Sequence, residues 1–575
     1  MRKSAPSFII FSLILFHGIN NYIWLQKNLI PPFWDESKHL IVTLKYLDSI
    51  RASFNILEAL WRIDSIYPPF FNVISLPIGL VWGSSLKELA MTNIIFLFIL
   101  LFSVYKIGEL FFDKNTGLLA SFMVSMFPMV FGVSRMFLLD FSVTAMVALS
   151  IYLLIKTEYF SNRKDSIFFG ISIGLGMLTK ETFFIFLLGP LLYILYKVIT
   201  LKPNIERHRM IVNFMISFAI GSALALPFYL RNIFNYFFKH SQIGMLHECK
   251  TILWPYFVHY NNIVFYIIPL LIIAVMLTKI SKLKLNRTHF KVIGLLFILI
   301  LGGLYWHSKE LLFKLAWFIY ILKDQIGLPF LTLFFICLPF FLFSLNKKPF
   351  LFLWLLLPYF LFTFCFFPSD IRFWSPRFTL PYLPVIALIS AKCLLDIKHE
   401  ISRILITCLL IVLAFLQFFS ISYGFRIKNK YADNKIISAF TSQDINSLWL
   451  IHRPIADDWK IPEILKWIEK DNEGKNATIN LLAVTNEINR KTFSYYILAN
   501  QLHLNIVEWM DPRIFDSEYI IILSNPKSWN WFSKQKRISR LYNAFREISH
   551  NYTLAKYFNL PKGTLLIYKK NALSD

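Results

Sequence analysis

Long runs of apolar residues, separated by short polar and basic segments, dominate about the first 420 residues of the chain. The first run, at 7–25, and twelve later ones approach the length that crosses a bilayer as a helix. The later runs lie at 89–106, 117–134, 137–155, 166–179, 183–199, 210–230, 262–279, 289–306, 326–345, 350–367, 376–394 and 402–422. We therefore predict about thirteen transmembrane helices. The apolar segment 68–83 contains three prolines and is predicted to be interfacial or re-entrant.

The pattern changes near residue 428, where polar content rises and apolar residues begin to alternate. The predicted elements of this part are helices at 460–470 and 490–502 and strands at 477–484, 519–523 and 564–568. Strands interleaved with helices are typical of a small α/β domain. The sequence thus predicts a membrane domain at 1–427 and a soluble domain at 428–575. No glycine-rich phosphate loop occurs in the soluble part, so we do not expect a nucleotide-binding domain.

Composition agrees with a polytopic membrane protein rather than a soluble enzyme. The 575 residues are 56% hydrophobic and carry a formal net charge of +25. Basic residues in short loops orient a membrane protein, and this explains the charge better than nucleic-acid binding does. The five cysteines lack a CxxC spacing, which argues against a disulfide framework or a structural zinc site. The first apolar run lacks a small-x-small cleavage site, so we predict an uncleaved first span.

The lysine and arginine clusters predict how the chain is oriented. If the N-terminus is cytoplasmic, almost every dense cluster falls on the cytoplasmic side of the membrane. These clusters lie at 106–114, 156–164, 197–209, 279–291, 347–348 and 398–403. An odd number of spans then places the C-terminal domain outside the cytoplasm, as in a multi-pass inner-membrane protein. The same alternation puts the large first outer loop, 27–88, on the outer face together with the corners 134–140 and 180–181 and the loops 231–261 and 368–377.

The first outer loop contains a vicinal carboxylate pair, Asp35 and Glu36, directly after Pro31-Pro32-Phe33-Trp34. The prolines end the first helix and turn the chain at the membrane surface. The next residues are compatible with a helix, so Asp35 would lie near a helix N-terminus. Two interpretations fit this segment: an N-capping aspartate in a solvated loop, or a general base that accepts a proton from a hydroxyl or amine.

Four cations, Arg135, Lys180, Arg231 and Arg377, lie at the outer ends of apolar runs, and Asp140 shares the corner of Arg135. Each cation could extend to the lipid headgroups, or it could neutralise a phosphate. Prolines flank Arg377 and would fix the start of its helix. An acidic base together with several cations at membrane depth suits a lipid-linked phosphate, whose leaving group gains charge during transfer.

The motifs that carry these residues resemble those of the membrane glycosyltransferases of the GT-C class, particularly the family 39 group. That group includes protein O-mannosyltransferases and the aminoarabinose transferase of lipid A. The matching segments are Asp35-Glu36, Tyr67-Pro68-Pro69-Phe70, Arg135 with Leu139-Asp140, Leu178-Thr179-Lys180-Glu181, Pro227-Phe228-Tyr229-Leu230-Arg231-Asn232 and Arg377 to Pro384. The resemblance covers roughly the first 420 residues, and the soluble tail is similar to the variable C-terminal domains of the group.

The resemblance implies a GT-C-type fold and transfer of a sugar, with inversion, from a polyprenyl-phosphate donor to a lipid, glycan or protein acceptor on the outer face. It implies that Asp35 is the base, with Glu36 and Asp140 in the catalytic set, and that Lys180, Arg231 and Arg377 bind the donor phosphate. Arg135 and Tyr67 would shape the site. Some members of the group have lysine directly before the Pro-Pro pair, where this chain has Tyr67. No cofactor is required by this interpretation, although a carboxylate pair would allow a divalent metal.

Two other functional classes fit a polytopic chain. A transporter or lipid flippase should contain inverted repeats, and we find no repeat between the two halves. A scaffold with a partner-binding tail would leave the outer charges unexplained. The glycosyltransferase hypothesis predicts that the seven charged candidates, Asp35, Glu36, Arg135, Asp140, Lys180, Arg231 and Arg377, line one outer cavity. The observation that best distinguishes the glycosyltransferase hypothesis from the other two classes is whether Asp35 and Arg377 approach each other.

Overall fold

The computed structural model describes most of the membrane domain and most of the C-terminal domain. The described residues are 5–53, 55–63, 65, 67–201, 203–240, 321–343, 349–360, 375–425, 450–482, 485–507, 516–524, 543 and 545–571. Two predicted spans, 262–279 and 289–306, and the predicted domain boundary at 427 lie outside these residues. The structural statements below refer to the described residues.

The membrane part consists of helices. They are α1 (Ala5–Lys27), α2 (Trp34–Ser53), α3 (Ile56–Arg62), α4 (Phe70–Val81), α5 (Leu86–Ala90), α6 (Asn93–Phe111), α7 (Lys114–Ser125), α8 (Pro128–Val133), α9 (Leu139–Lys156), α10 (Arg163–Met177), α11 (Phe183–Thr200), α12 (Ile205–His240), α13 (Leu328–Phe343), α14 (Pro349–Phe360), a 3-10 helix (Pro376–Tyr382), α15 (Leu383–Leu395) and α16 (Glu400–Tyr423). Within the described residues, seven helical segments are long and apolar enough to cross a membrane.

One predicted span needs correction. The apolar run 117–134, predicted as one span, forms the separate helices α7 and α8, which meet at Pro128. Proline lacks the backbone donor that a continuous helix needs at this point. The predicted first outer loop contains α2, α3, α4 and the start of α5, and is therefore largely helical.

Consecutive long helices run back and forth, so the polar segments between them collect at two ends of the bundle. At one end, Nζ of Lys156, the last residue of α9, lies 2.8 Å from Oδ1 of Asp165 in the first turn of α10. At the opposite end, Oδ1 of Asp140, in the first turn of α9, lies 2.8 Å from Nζ of Lys180, which follows α10. The basic segment 156–164 therefore lies at one end, and Asp140 and Lys180 lie at the other.

The C-terminal part contains helices α17 (Ile461–Asp471) and α18 (Arg490–Ala499) and strands β1 (Ala477–Leu481), β2 (Leu504–Ile506), β3 (Tyr519–Ser524), β4 (Tyr552–Leu560) and β5 (Gly563–Lys570). The sheet order is β2-β1-β3-β5-β4, with β1 parallel to β2 and β3, and β5 antiparallel to β3 and β4. Apolar side chains of both helices pack on the sheet in one core. This part is an α/β unit, as the sequence predicted.

The C-terminal unit is attached to the end of the bundle that carries Asp140 and Lys180. The indole Nε1 of Trp24, near the end of α1, donates to the carbonyl of His452 at 3.1 Å. The Leu29 amide donates to the carbonyl of Ile455 at 2.8 Å, and the Ile455 amide donates to the Asn28 side chain at 3.1 Å. These three hydrogen bonds hold the unit at the helix ends.

Close packing of α6 against α7 generates a first prediction. A Cβ atom on Gly117 would overlap the carbonyl oxygen of Tyr105, which cannot move without displacing its helix. We expect Gly117→Ala to destabilise the fold by about 1–3 kcal/mol, the usual cost of overpacking. Thermal unfolding of the purified protein in detergent should show a lower Tm. Gly18→Ala is the control, because its Cβ would meet only the side-chain Cδ1 of Ile94, at 3.3 Å. Equal Tm values for both variants would contradict the tight packing.

Candidate functional site

Four charged side chains from distant parts of the sequence form an alternating chain of ion pairs. Arg377 Nη2 lies 2.5 Å from Asp35 Oδ2, although the two residues are 342 positions apart. Arg377 Nε lies 3.4 Å from Asp140 Oδ2, and Lys180 Nζ lies 2.8 Å from Asp140 Oδ1. Lys38 Nζ adds a fifth member, 3.3 Å from Asp35 Oδ1. We call these five residues the ion network.

Four of the five members are positioned by the end of a helix. Asp35 and Asp140 lie in the first turns of α2 and α9, where the helix dipole favours a negative charge. Lys180 follows the end of α10, and Arg377 lies in the 3-10 helix that precedes α15. Because these helix ends meet at one end of the bundle, their charges converge.

The 3-10 helix of Arg377 is fixed by a buried glutamine. Gln325 Nε2 donates to the carbonyl of Pro376 at 2.6 Å and to Thr379 Oγ1 at 2.8 Å. The hydroxyl of Tyr382 donates to Gln325 Oε1 at 3.0 Å. These bonds satisfy the polar groups of a short proline-rich turn and hold the arginine in place.

The ion network is buried at one end and open at the other. The side chains of Asp140 and Arg377 are 6% and 7% exposed, whereas Asp35 and Lys38 are 34% and 38% exposed. Burial disfavours the charged form of Asp35, but Arg377 and Lys38 outweigh burial and lower the pKa of its carboxyl below the ordinary value. Asp35 is therefore ionised at neutral pH, and three cations face two carboxylates.

An aromatic ring supports two of the cations. Lys180 Nζ lies 4.9 Å and Arg377 Cζ 5.1 Å from the ring centroid of Phe378. The face of an aromatic ring attracts cations, and more strongly where water is excluded. Phe378 thus stabilises two like charges that lie side by side.

Glu36 occupies a different position from its neighbour Asp35. Its Oε1 accepts the amide proton of Phe137 at 2.8 Å and its Oε2 accepts that of Phe33 at 3.4 Å. The residue is 3% exposed, and burial raises the pKa of its carboxyl to about 7, although both backbone bonds and Arg377 act in the opposite direction. Glu36 therefore joins the start of α2 to the segment before α9. Its catalytic role stays a prediction.

Arg135 lies apart from the ion network. Its Nε donates to Asn21 Oδ1 at 3.0 Å and its Nη2 to Ser422 Oγ at 2.8 Å. The guanidinium lies 5.2 to 5.5 Å from the ring centroids of Trp24, Phe131 and Phe418. At 3% exposure it does not extend to lipid headgroups, and it joins α1 to α16.

Arg231 and Tyr67 lie beside segments of the first outer loop. Arg231 donates to the carbonyl of Leu60 and, at 3.0 Å, to Asn232 Oδ1. The Tyr67 ring packs edge-on against His39, with centroids 4.7 Å apart. Burial and the nearby Asp35 carboxylate raise the pKa of Tyr67 to about 12.

Of the eight residues predicted from the sequence, the structure brings four, Asp35, Asp140, Lys180 and Arg377, into direct contact.

Lys38, His39 and Phe378 were not identified from the sequence. Lys38 and His39 lie three and four positions after Asp35, the spacing that puts side chains on one face of a helix. His39 is 3% exposed, and burial lowers the pKa of its imidazole well below the ordinary value despite the nearby Asp35.

Within the described part of the chain, no group of three or more His, Cys, Asp or Glu side chains could hold a metal ion.

Comparisons with known proteins agree with this architecture. The model of the family described as dolichyl-phosphate-mannose-protein mannosyltransferase matches residues 67–226. That segment includes Asp140 and Lys180 but neither Asp35 nor Arg377. A comparison with curated protein sequences found no match.

Solved structures with a similar fold include ArnT from Cupriavidus metallidurans bound to undecaprenyl phosphate. The TM-score is 0.54 at 8% identity, covering 100% of this chain and 99% of that chain. The apo oligosaccharyltransferase of Archaeoglobus fulgidus gives a TM-score of 0.53 at 11% identity, covering 100% of this chain and 75% of that chain. These likenesses confirm the predicted fold, a GT-C-type polytopic membrane domain with a C-terminal soluble domain.

Burial of Glu36 predicts how stability depends on pH. Because its pKa is raised from 4.5 to about 7, the folded state holds a proton that the unfolded state releases. The contribution of Glu36 to stability should therefore be fully present below about pH 4.5 and should be lost as the pH rises through about 7. Each unit of pKa difference corresponds to about 1.4 kcal/mol.

We expect Glu36→Gln, which keeps an oxygen acceptor for the Phe137 amide, to flatten this dependence. The measurement is the Tm of wild type minus that of the variant between pH 5 and 8. Glu463→Gln, on the exposed face of α17, should keep the wild-type slope. A parallel profile for wild type and Glu36→Gln would mean that Glu36 is charged throughout this range.

Proposed function

We propose that this protein is a membrane glycosyltransferase that moves a sugar from a polyprenyl-phosphate donor to an acceptor on the outer face of the membrane. The observation that carries the proposal is the ion network: Asp35 and Arg377 meet directly at the end of the helical bundle, with Lys180 and Asp140 behind them. The matched family acts, by its description, with dolichyl-phosphate mannose, and one structure of similar fold was solved with undecaprenyl phosphate.

The cations of the network suit the donor phosphate. Lys38, Lys180 and Arg377 outnumber the two carboxylates, and a buried cation attracts an anion more strongly than one in water does. Lys180 and Arg377 would hold the phosphate and stabilise the negative charge that grows on it as the sugar departs. Arg231 stays a predicted donor contact.

Asp35 is the proposed base. Its carboxylate is ionised, and at 34% exposure it is the acidic member of the network most accessible to an acceptor. In the reaction the acceptor oxygen or nitrogen forms a bond to the anomeric carbon while the bond between that carbon and the phosphate oxygen breaks. The bonding pair leaves with the lipid phosphate, and the acceptor proton goes to Asp35. The sugar, hexosyl or pentosyl, is identified by incubating the purified protein with labelled polyprenyl-phosphate sugars.

Replacing the base tests this mechanism. Asp35→Asn preserves the size of the side chain but removes the proton acceptor, so turnover should fall by roughly a hundredfold or more. Sugar transfer is measured with a labelled donor, and the folded fraction by size-exclusion chromatography. Asp48→Asn is the matched control, because Asp48 lies on the same helix with its side chain 50% exposed and pairs with Arg51 at 3.7 Å. Near-normal transfer by Asp35→Asn would leave Asp35 as a capping residue.

Arg377→Lys tests the arginine. Lysine keeps the charge but loses the planar fork, and it cannot reach Asp35, Asp140 and a phosphate at once. Loss of one charge-assisted hydrogen bond costs about 1.5–3 kcal/mol. We therefore expect kcat/KM for the donor to fall about tenfold to a hundredfold in Arg377→Lys, and further in Arg377→Ala.

Arg403→Lys provides the control for this substitution, since Arg403 pairs only loosely with Glu400, at 3.7 Å, in the first turn of α16. Its activity should match wild type. Full activity of Arg377→Lys would reject the proposal that the planar guanidinium of Arg377 binds the donor phosphate through two hydrogen bonds.

A further inference from the structure

Helix α18 of the C-terminal unit packs on α2, the helix that carries Asp35, and a buried hydroxyl marks the contact. Thr492 Oγ1 donates to the carbonyl oxygen of Pro32 at 2.8 Å. Ser37 Oγ donates to the same carbonyl at 3.0 Å, and the two hydroxyl oxygens are 3.3 Å apart. Ser37 and Thr492 are both fully buried. Two hydroxyls from separate parts of the chain thus share one carbonyl acceptor.

The shared carbonyl lies where the chain turns from α1 into α2. Pro32 stands two residues before Trp34, the first residue of α2, and three before Asp35. Prolines at 31 and 32 have no amide proton, so this turn cannot be stabilised by its own backbone donors there. The hydroxyls of Ser37 and Thr492 supply donors instead, and the direction of the Pro32 carbonyl sets how the first turn of α2 begins.

Thr492 is itself held rigidly. Its amide donates to the capping Asn489 Oδ1 at 3.0 Å, which fixes it in the first turn of α18. One turn later the Tyr495 hydroxyl accepts the amide proton of Leu86 at 3.1 Å. Helix α18 is therefore attached to the first outer loop at two points, one before α2 and one at the start of α5.

We propose that Thr492 is a positioning residue of the glycosyl transfer reaction, through which the C-terminal unit fixes the turn that carries Asp35. The inference rests on the proposed function. Because Thr492 is fully buried and donates to the Pro32 carbonyl, it acts through Pro32 and the first turn of α2. A small displacement of that turn moves the Asp35 carboxylate relative to the acceptor proton, and displacements of about 1 Å can cost about a hundredfold in rate.

The test compares Thr492→Val, Thr492→Ser and wild type. Valine keeps the branched shape and loses the donor, so kcat should fall about tenfold while KM for the lipid donor stays within about twofold, because the phosphate-binding cations are unchanged. Serine keeps the hydroxyl and should restore kcat to within about twofold of wild type. Thr564→Val, on β5 of the same unit, removes a hydroxyl that donates to Asn559 Oδ1 at 3.3 Å and should leave both constants unchanged. The inference would be overturned if Thr492→Val kept the kcat of wild type, or if the substitution raised KM without lowering kcat.

A double-mutant comparison separates positioning from general loosening. Because Ser37 and Thr492 donate to one carbonyl, Ser37→Ala and Thr492→Val should not act independently. The combined loss of kcat should differ from the product of the single losses by about threefold or more. A purely multiplicative result would overturn the shared role. If Thr492→Val does not fold, Ser37→Ala and Thr492→Ser test the same carbonyl.

A readout that needs no turnover distinguishes this inference from the proposed function. In an Asp35→Cys background, the alkylation rate of that thiol, followed by mass spectrometry, should change severalfold with Thr492→Val and return to the parent value with Thr492→Ser. If wild-type protein transferred sugar from none of the labelled donors, the proposed function would be rejected, but the positioning role of Thr492 would not. An alkylation rate that is insensitive to Thr492→Val would reject the positioning role alone.

Discussion

A charge removed from water must be compensated, and this constraint fixes the arrangement of helix ends around Arg377. The guanidinium is 7% exposed and lies between Asp35 and Asp140, while Asp140 also meets Lys180. Replacing Asp140 would remove the carboxylate that pairs with Lys180 and one of the two that pair with Arg377. Breaking a buried ion pair is far more costly than losing a surface ion pair. The starts of α2 and α9, the end of α10 and the 3-10 helix before α15 are therefore held together by electrostatics as well as by apolar packing.

Arg135 shows that a buried cation at a helix end can be stabilised without an ion pair to a carboxylate. Its compensation comes from neutral oxygens of Asn21 and Ser422 and from three aromatic faces. Such an environment stabilises the charge through neutral oxygens and aromatic rings rather than through a carboxylate. The network around Arg377 differs in having carboxylates on both sides and an exposed member, Asp35. That difference, rather than charge alone, makes it the candidate for chemistry.

The sequence predicted the features that depend on long patterns and missed those that depend on local geometry. Apolar runs of spanning length and their basic flanks identified the polytopic fold and brought Asp35, Asp140, Lys180 and Arg377 to one side. Strand β4 was not predicted, because a register shift between Leu554 and Lys556 breaks its alternation. Phe378 resembles any apolar residue until its ring is placed beside Lys180 and Arg377. Glu36 could not be separated from Asp35 by sequence, although successive helical residues point about 100° apart.

The low pKa of Asp35 raises a question about its proposed role, since a carboxylate held by Arg377 is a weak base. In the proposed reaction the donor resolves the difficulty. A phosphate that binds Arg377 competes with Asp35 for the same guanidinium, and each bond that it takes weakens the attraction that lowers the Asp35 pKa. The base would then become effective only when the donor is in place. An acceptor or water molecule that arrives first would meet a carboxylate still paired with Arg377. The Arg377–Asp35 ion pair, which stabilises the ion network, would thereby require that the donor bind before the acceptor proton is transferred to Asp35.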